Sequence, residues 1–399
     1  MNKKIIQRRI IEKIEVFLKT DDILLLYGAR QVGKTTIMKF IQQKLLYDKT
    51  YFFDLENIEY LELLNKNPNI FVEYMKSYHG WKETEKIVVF IDEIQYLDNP
   101  TSFLKFIHDN YSSIKLIVSG SSTLEIRGKL HDSLVGRIIK FEILPLSFEE
   151  FLIFKNKENL AKNIGKQISL SIINNEIKFF FEEYTKFGGY PKIALENNAN
   201  IKKEYLKQIF DSYIQKDIKD IGKIKEIEKF NKALKILADQ SGSLLNISEF
   251  STTIGITQNT LNERLFLLEN TFVIQLIRPF SNNIRGELTK MPKIFFIDNG
   301  IRNFINNSYE IEGNSLENSF FSHINNSYKF KKIQFYRTQD KKEIDFILDG
   351  EPYEVKTNYK GKSLTPLNYF GEKYNKKGNI ITLNKTENTK YTILYPREI

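Results

Sequence analysis

The nine residues from Gly28 to Thr36, GARQVGKTT, have the types and spacing that phosphate chemistry needs. In the pattern GxxxxGK[ST] the glycines let backbone N–H groups turn inward as an anion nest at a helix N-terminus, where the helix dipole also favours negative charge. Gly28, Ala29, Arg30, Gln31, Val32, Gly33, Lys34, Thr35 and Thr36 are therefore the expected nucleotide loop. Lys34 is placed to reach the β- and γ-phosphates of ATP, and the Thr35 hydroxyl to ligate Mg²⁺. Farther on, the run KIVVFI ends in Asp92-Glu93. Asp92 is expected to hold Mg²⁺ through water, and Glu93 to orient or deprotonate the attacking water. The same pair also suits the start of a helical turn, which is compatible with that chemistry. Ser119 or Ser121, at the end of KLIVSGSS, stands where a γ-phosphate sensor belongs; an ordinary Ser/Gly turn is the alternative. Arg137, just before IIKFEIL, reads either as an arginine finger aimed at a neighbouring subunit's phosphate or as a helix C-terminal cation, with Arg127 in reserve.

A second constellation lies near the C-terminus. Asp349-Gly350 between two apolar runs is a two-residue hairpin signal, which fixes the register by pairing Leu348 with Glu351. Asp345 then falls opposite Glu354, with Cβ atoms about 4.5–5.5 Å apart, and Lys356 shares the face of Glu354 because strand period is two. Glu317 sits in a helical stretch upstream. Asp345 and Glu354 are a candidate Mg²⁺ pair, and Lys356 beside them could position or activate a water that attacks a phosphodiester. The competing reading is a solvated surface hairpin, since ExK is common in a Lys-rich chain.

These residues need particular elements to carry them. DILLLYG (22–28), KIVVFIDE (86–93), KLIVSGSS (115–122) and IIKFEIL (138–144) read as strands buried on both faces of a parallel sheet, and IMKFIQQKLL after the loop as a helix. Residues 148–229 carry helical spacing, broken by the turn Gly188-Gly189-Tyr190-Pro191. From 230 to 280 the order is helix, Ser-Gly break, short helix from Ile247, turn at Gly255–Thr257, longer helix to Asn270 and the strand-like FVIQLI. That order is a winged-helix pattern. Its third helix offers one arginine, Arg264, against Glu263 and Glu269, too little charge to neutralise phosphates. Asn259, Asn262 and Arg264 could contact bases, with Arg278, Arg285, Lys290 and Lys293 as cations nearby. Direct DNA contact and a protein-packing module both stay open.

At 399 residues with 41% hydrophobic content, the chain has room for two to four domains of ordinary size. It carries 59 Lys+Arg against 50 Asp+Glu, a net +9. Residues 320–399 hold 15 Lys+Arg against 9 Asp+Glu, so six of those nine surplus charges are at the C-terminal end. The absence of cysteine excludes disulfides, thiolate catalysis, iron–sulfur clusters and Cys-ligated zinc, and four scattered His offer no zinc cluster. No stretch approaches the roughly 18–20 uncharged apolar residues of a membrane span or signal core. The expectation is a soluble, unprocessed, cytoplasmic protein with no membrane partner.

The segments YGARQVGKTT, VVFIDEIQYL, IVSGSSTLEI and GRIIKFEILPLSFEEF resemble the AAA+-type ATPases of bacteria and archaea that carry a C-terminal domain of unknown function. FGGYP (187–191), YIQKDI (213–218), KIFFIDNG (293–300) and LENSFFSHI (316–324) look like later landmarks of the same family, so the resemblance spans nearly the whole chain. It implies a helical lid over the ATP site. Glu317, Asp345 and Glu354-x-Lys356 resemble the PD-(D/E)XK nuclease fold, with Ile344 where that pattern has proline. The expected architecture is α/β: a P-loop NTPase core with a parallel sheet (1–150), a helical lid (151–229), a winged helix (230–285) and a nuclease-like α/β domain (286–399). The expected activity is Mg²⁺-dependent ATP hydrolysis coupled to DNA binding or processing; a homo-oligomer is compatible with it, and the subunit number stays open. The alternatives are a regulatory or defence switch that binds nucleic acid or protein without cutting, and a chaperone-like remodeller.

Overall fold

The computed structural model describes residues 6–44, 49–120, 134–166, 170–212, 218, 222, 224–281, 291–384 and 390–399. Ser121, Arg127, Arg285, Lys290 and most of the YIQKDI landmark lie outside the described residues. The chain divides into two compact units, Met1–Leu144 and Pro145–Ile399.

In the first unit five strands, β1 (Ile23–Tyr27), β2 (Thr50–Asp54), β3 (Ile87–Asp92), β4 (Ile114–Gly120) and β5 (Ile138–Glu142), pair in the order β2-β3-β4-β1-β5, all parallel. This is the parallel sheet of a P-loop NTPase. All six residues of β3 are buried, as expected of a strand covered on both faces. The core packs Leu25, Val89, Ile91 and Val118 with Phe53, Phe71, Phe103 and Trp81. Because β4 lies between β1 and β3, the ends of these three strands form one edge. Leu26 is level with Ser119, and Ile91 with Val118.

The second unit begins with helices Phe148–Phe154, Glu158–Ala161, Ser171–Phe187, Pro191–Leu195 and Ala199–Ile209. Three more follow, Ile227–Asp239, Ile247–Ile254 and Gln258–Asn270, then the antiparallel pair β6 (Ile274–Ile277) and β7 (Lys293–Phe296). Leu244 adds an antiparallel bridge to Lys293. The strand expected from Phe272 starts later, because Phe272 takes a left-handed φ of 59° just after its helix ends. After helices Asn299–Asn306 and Gly313–Asn326 comes a mixed sheet in the order β12-β11-β10-β9-β8, from β8 (Ile333–Arg337), β9 (Glu343–Leu348), β10 (Glu351–Lys356), β11 (Asn379–Thr382) and β12 (Thr392–Leu394). Helix Thr365–Tyr374 makes the crossover from β10 to the parallel β11.

Two sequence landmarks turn out to be one joint. The carboxylate of Asp298 caps helix Asn299–Asn306 through Ile301 N–H (3.1 Å) and accepts from Gly189 N–H (2.7 Å). A Cβ on Gly188 would lie 2.2 Å from that carboxylate, and one on Gly300 would lie 2.1 Å from Phe187 O, so both positions require glycine. FGGYP and FIDNG thus have a structural reason for their residue types.

Candidate functional site

The loop after β1 is shaped by close backbone approach. Tyr27 O accepts from Ile143 N–H at 2.7 Å, and a Cβ on Gly28 would meet Ile143 O at 2.1 Å. Gln31 (φ 62°) and Gly33 (φ 99°) take positive φ, the kind of alternation that turns successive N–H groups to one side. Arg8 donates to Val32 O (3.0 Å) and to Leu144 O (2.9 Å), bracing the loop from beneath. Helix Lys34–Lys44 then begins with buried Lys34, half-buried Thr35 and exposed Thr36. The Lys34 ammonium donates to the carbonyls of Gly28 (3.1 Å) and Ala29 (2.8 Å). Burial pulls its pKa down to about 8, against the opposing pull of Glu93 and Asp92.

At the end of β3, Asp92 is 2% exposed and accepts a hydrogen bond from the Ser119 hydroxyl. Ser119 Oγ in turn accepts from Glu93 N–H at 3.2 Å. Glu93 takes the left-handed conformation (φ 58°, ψ 49°), which costs an L-residue roughly 1–2 kcal/mol. The Gln95 amide donates to its carboxylate. A short 3₁₀ turn, Ile94–Tyr96, follows where the helical reading of Asp92-Glu93 expected a helix start. Lys34, Asp92, Glu93 and Ser119 are thus gathered at one edge of the sheet. Arg137 is not. It precedes β5 at the opposite edge, its carbonyl accepts from Ile23 N–H, and its guanidinium makes a bidentate pair with Asp109 (2.7 and 3.1 Å).

The residues fit a nucleoside triphosphate with Mg²⁺. The glycine-required loop opens onto a helix N-terminus, and Thr35 and Asp92 supply the hard oxygen donors that Mg²⁺ prefers.

In the C-terminal sheet, Asp349 (φ 47°) and Gly350 (φ 91°) form the hairpin turn, and Leu348, Ile347 and Phe346 pair with Glu351, Pro352 and Tyr353. One step farther, side chains take over the ladder. Val355 N–H donates to Asp345 Oδ2 (2.9 Å), and Asp345 N–H donates to Glu354 Oε2 (3.4 Å). Lys356 pairs with Glu354 (2.6 Å) and lies 3.9 Å from Asp345. Glu317, from helix Gly313–Asn326, approaches through Lys293, whose ammonium lies 3.2 Å from Glu317, 3.5 Å from Asp345 and 2.9 Å from Glu343. Burial and then the Asp345 charge push the Glu317 and Glu354 carboxyls up. Burial works against the Lys293 charge, but Glu317, Asp345 and Glu343 outweigh it and hold its pKa above the ordinary value. Arg337 also pairs with Glu343.

Two cations considered for nucleic-acid contact have other positions. Lys293 is buried within this ring of carboxylates. Arg264 is 7% exposed and lies 3.7 Å from Glu226, because its helix turns that face into the unit. Asn259 and Asn262 are exposed and Arg278 is half-buried.

Sequence reasoning did not single out Arg8, Gln95 or Glu343. Glu343 was within reach, since KEID puts it two residues from Asp345 and so on the same strand face. Gln95 stands two residues after Glu93. Nothing local marks Arg8, whose partners lie 24 and 136 positions away. Among the described residues, no helix is long and apolar enough to cross a membrane.

Residues 20–152 match the AAA domain family, residues 178–310 a domain of unknown function (DUF8612) and residues 312–396 another (DUF4143). An uncharacterized protein of Methanocaldococcus jannaschii is 30% identical over 350 residues, 86% of this chain and 75% of that one. An uncharacterized protein of Haemophilus influenzae is 27% identical over 362 residues, 87% of this chain and 84% of that one. Among solved structures, the Walker-type ATPase of Pyrococcus abyssi aligns over 74% of this chain and 93% of its own, with TM-score 0.48 and 15% identity. With the archaeal relative, this chain belongs to a family of AAA-type ATP-binding proteins that carry a C-terminal DUF4143 domain.

Proposed function

We propose that the N-terminal unit hydrolyses ATP and that its nucleotide state governs a C-terminal module that engages nucleic acid. The observation that carries hydrolysis is the unit formed by Asp92, Ser119 and Glu93 on the edge that also holds Lys34. Lys34 exchanges its two carbonyl partners for phosphate oxygens, and the amides of the loop hold the β-phosphate. Glu93, kept in a left-handed conformation and steadied by Gln95, orients a water for in-line attack and accepts its proton as the bond to the leaving ADP breaks. Ser119 fixes the Asp92 carboxylate and the Glu93 backbone relative to each other. Thr35 and Asp92 would hold Mg²⁺, which when bound supplies charge neutralisation at the phosphates. Among the described residues Arg137 sits at the other edge of the sheet, so as a finger it would act on the phosphate of a second copy.

For the output, helices 227–239, 247–254 and 258–270 with the Leu244 bridge and the β6–β7 pair fit a winged helix. Glu317, Asp345, Glu354 and Lys356 stand in a PD-(D/E)XK-like arrangement. Exposed Lys331, Lys332, Lys360, Lys362, Lys373, Lys376 and Lys377 give the same domain a basic surface, which favours a phosphate-rich partner.

Phosphate release from ATP, measured with and without single- and double-stranded DNA, tests both halves. Glu93→Gln is expected to bind ATP but to lose about 10²–10⁴-fold in turnover. DNA is expected to stimulate the wild type. Full turnover by Glu93→Gln removes the assigned base, and indifference to DNA removes the nucleic-acid output in favour of a protein partner.

A further inference from the structure

The carboxylates of Glu317, Glu343 and Asp345 come from two elements and converge on one atom, the ammonium nitrogen of Lys293. An ammonium has three N–H donors and no acceptor, and here it meets three carboxylate groups. The Lys293 side chain is 1% exposed, so these partners stand in for the water it has lost. A divalent cation in the same cluster would draw on the same oxygens, for Mg²⁺ at about 2.0–2.1 Å. With Lys293 Nζ 3.2 Å from Glu317 and 3.5 Å from Asp345, that ion would lie almost against a like charge that cannot reach water.

The surroundings leave the lysine little freedom to withdraw. Its backbone is paired with Ile277 in β6 and bridged to Leu244, while Gly242 N–H donates to Ile294 O at 2.8 Å. Gly242 also backs directly onto Glu317, whose carboxylate would lie 3.0 Å from any Cβ there. Charge is nearly balanced as well. Lys293, Lys356 and Arg337 face Glu317, Glu343, Asp345 and Glu354, which leaves little surplus to attract a doubly charged ion. Among the described residues, no group of three or more His, Asp or Glu is arranged to hold a metal ion.

We propose that Lys293 is the resident cation of this cluster and keeps it closed to divalent metal. The nuclease-like domain then works without metal-dependent phosphodiester cleavage, and its carboxylates tie β9 and helix Gly313–Asn326 to the β6–β7 pair. This rests on the nuclease-like reading of the cluster. The lysine heads β7, whose antiparallel partner β6 belongs to the module expected over 230–285, so the cluster ties that strand pair to the carboxylates rather than serving a substrate. The expected metal pair, Asp345 and Glu354, is spent on Lys293, Lys356 and the backbone of Val355.

The test is Mn²⁺ binding, followed by electron paramagnetic resonance, on the nucleotide-free full chain carrying Asp92→Asn to remove the other carboxylate expected to hold metal. With Lys293 present, no tightly bound Mn²⁺ is expected. Adding Lys293→Met should create one site per chain, which a further Asp345→Asn abolishes. Should Lys293→Met fail to fold alone, millimolar Mn²⁺ is expected to restore its circular dichroism, and no rescue counts against the proposal. An Asp345-dependent Mn²⁺ site in the protein that keeps Lys293 overturns it while strengthening the nuclease-like reading. No site with or without Lys293 overturns both, because the lysine would then not occupy a cation's place.

Discussion

Each unit buries a lysine beside carboxylates, and the two lysines are held in opposite ways. Lys34 donates to two neutral carbonyls, and burial lowers its pKa to about 8 even with Asp92 and Glu93 nearby. Lys293 donates to carboxylates, which outweigh burial and raise its pKa. Carbonyl dipoles are partners that a phosphate can replace at small electrostatic loss. A buried ion pair is not, because each released carboxylate would be left charged in a low dielectric. On the functions proposed above, the contrast separates a lysine kept available for a ligand from one committed to the fold.

The largest expected effect breaks this comparison if it fails. Lys293→Met removes one cation and leaves three carboxylates around an apolar chain, so the second unit should lose about 3–5 kcal/mol. Lys34→Met should leave the stability of the first unit unchanged or slightly raised while abolishing ATP turnover. Urea titrations followed by circular dichroism measure both. Equal losses would mean that Lys34 is as structural as Lys293.

The pH dependence sharpens the contrast. The folded pKa of Lys34, about 8, lies below its ordinary 10.5, so between these values the unfolded chain binds more protons than the folded one. Stability of the first unit therefore rises with pH across that window, by on the order of 3 kcal/mol at most. Lys293 has a raised folded pKa, so its contribution is complete throughout the window and is lost only as pH climbs above it. Trp81, the sole tryptophan, is buried in the core of the first unit and reports its unfolding by fluorescence. The expected result is a urea midpoint that rises above about pH 8 in the wild type and stays flatter in Lys34→Met. Identical slopes in the two proteins would assign the rise elsewhere.

What could be read in the sequence follows from how local each interaction is. The nucleotide loop and the Asp92-Glu93 strand end were legible because strand, turn and helix lie within a few residues of each other, and the burial of each strand is written in its apolar run. The hairpin register was legible because Asp-Gly dictates a turn with two positive φ angles, and the observed pairing of Leu348 with Glu351 follows from it. Lys293 read as one more cation in a basic stretch. Its partners are 24, 50 and 52 positions away, and a lysine at the head of KIFF carries no local mark of burial. Arg137 was likewise ambiguous: its sequence position before the last core strand is clear, but its pairing with Asp109 depends on packing across 28 residues.

The smallest expected effect concerns that turn. Gly350 has φ 91° with nothing within 4 Å of where a Cβ would go, so Gly350→Ala meets backbone strain but no collision. Its expected loss is about 1–2 kcal/mol, below that of Lys293→Met. The register should survive, because the burial of Phe346, Ile347 and Leu348 on alternating faces resists a one-residue slip that would invert all three. The carboxylates would then still reach Lys293. A loss from Gly350→Ala as large as that from Lys293→Met would show the reverse order of control, with the turn holding the register and the ion pairs merely following it.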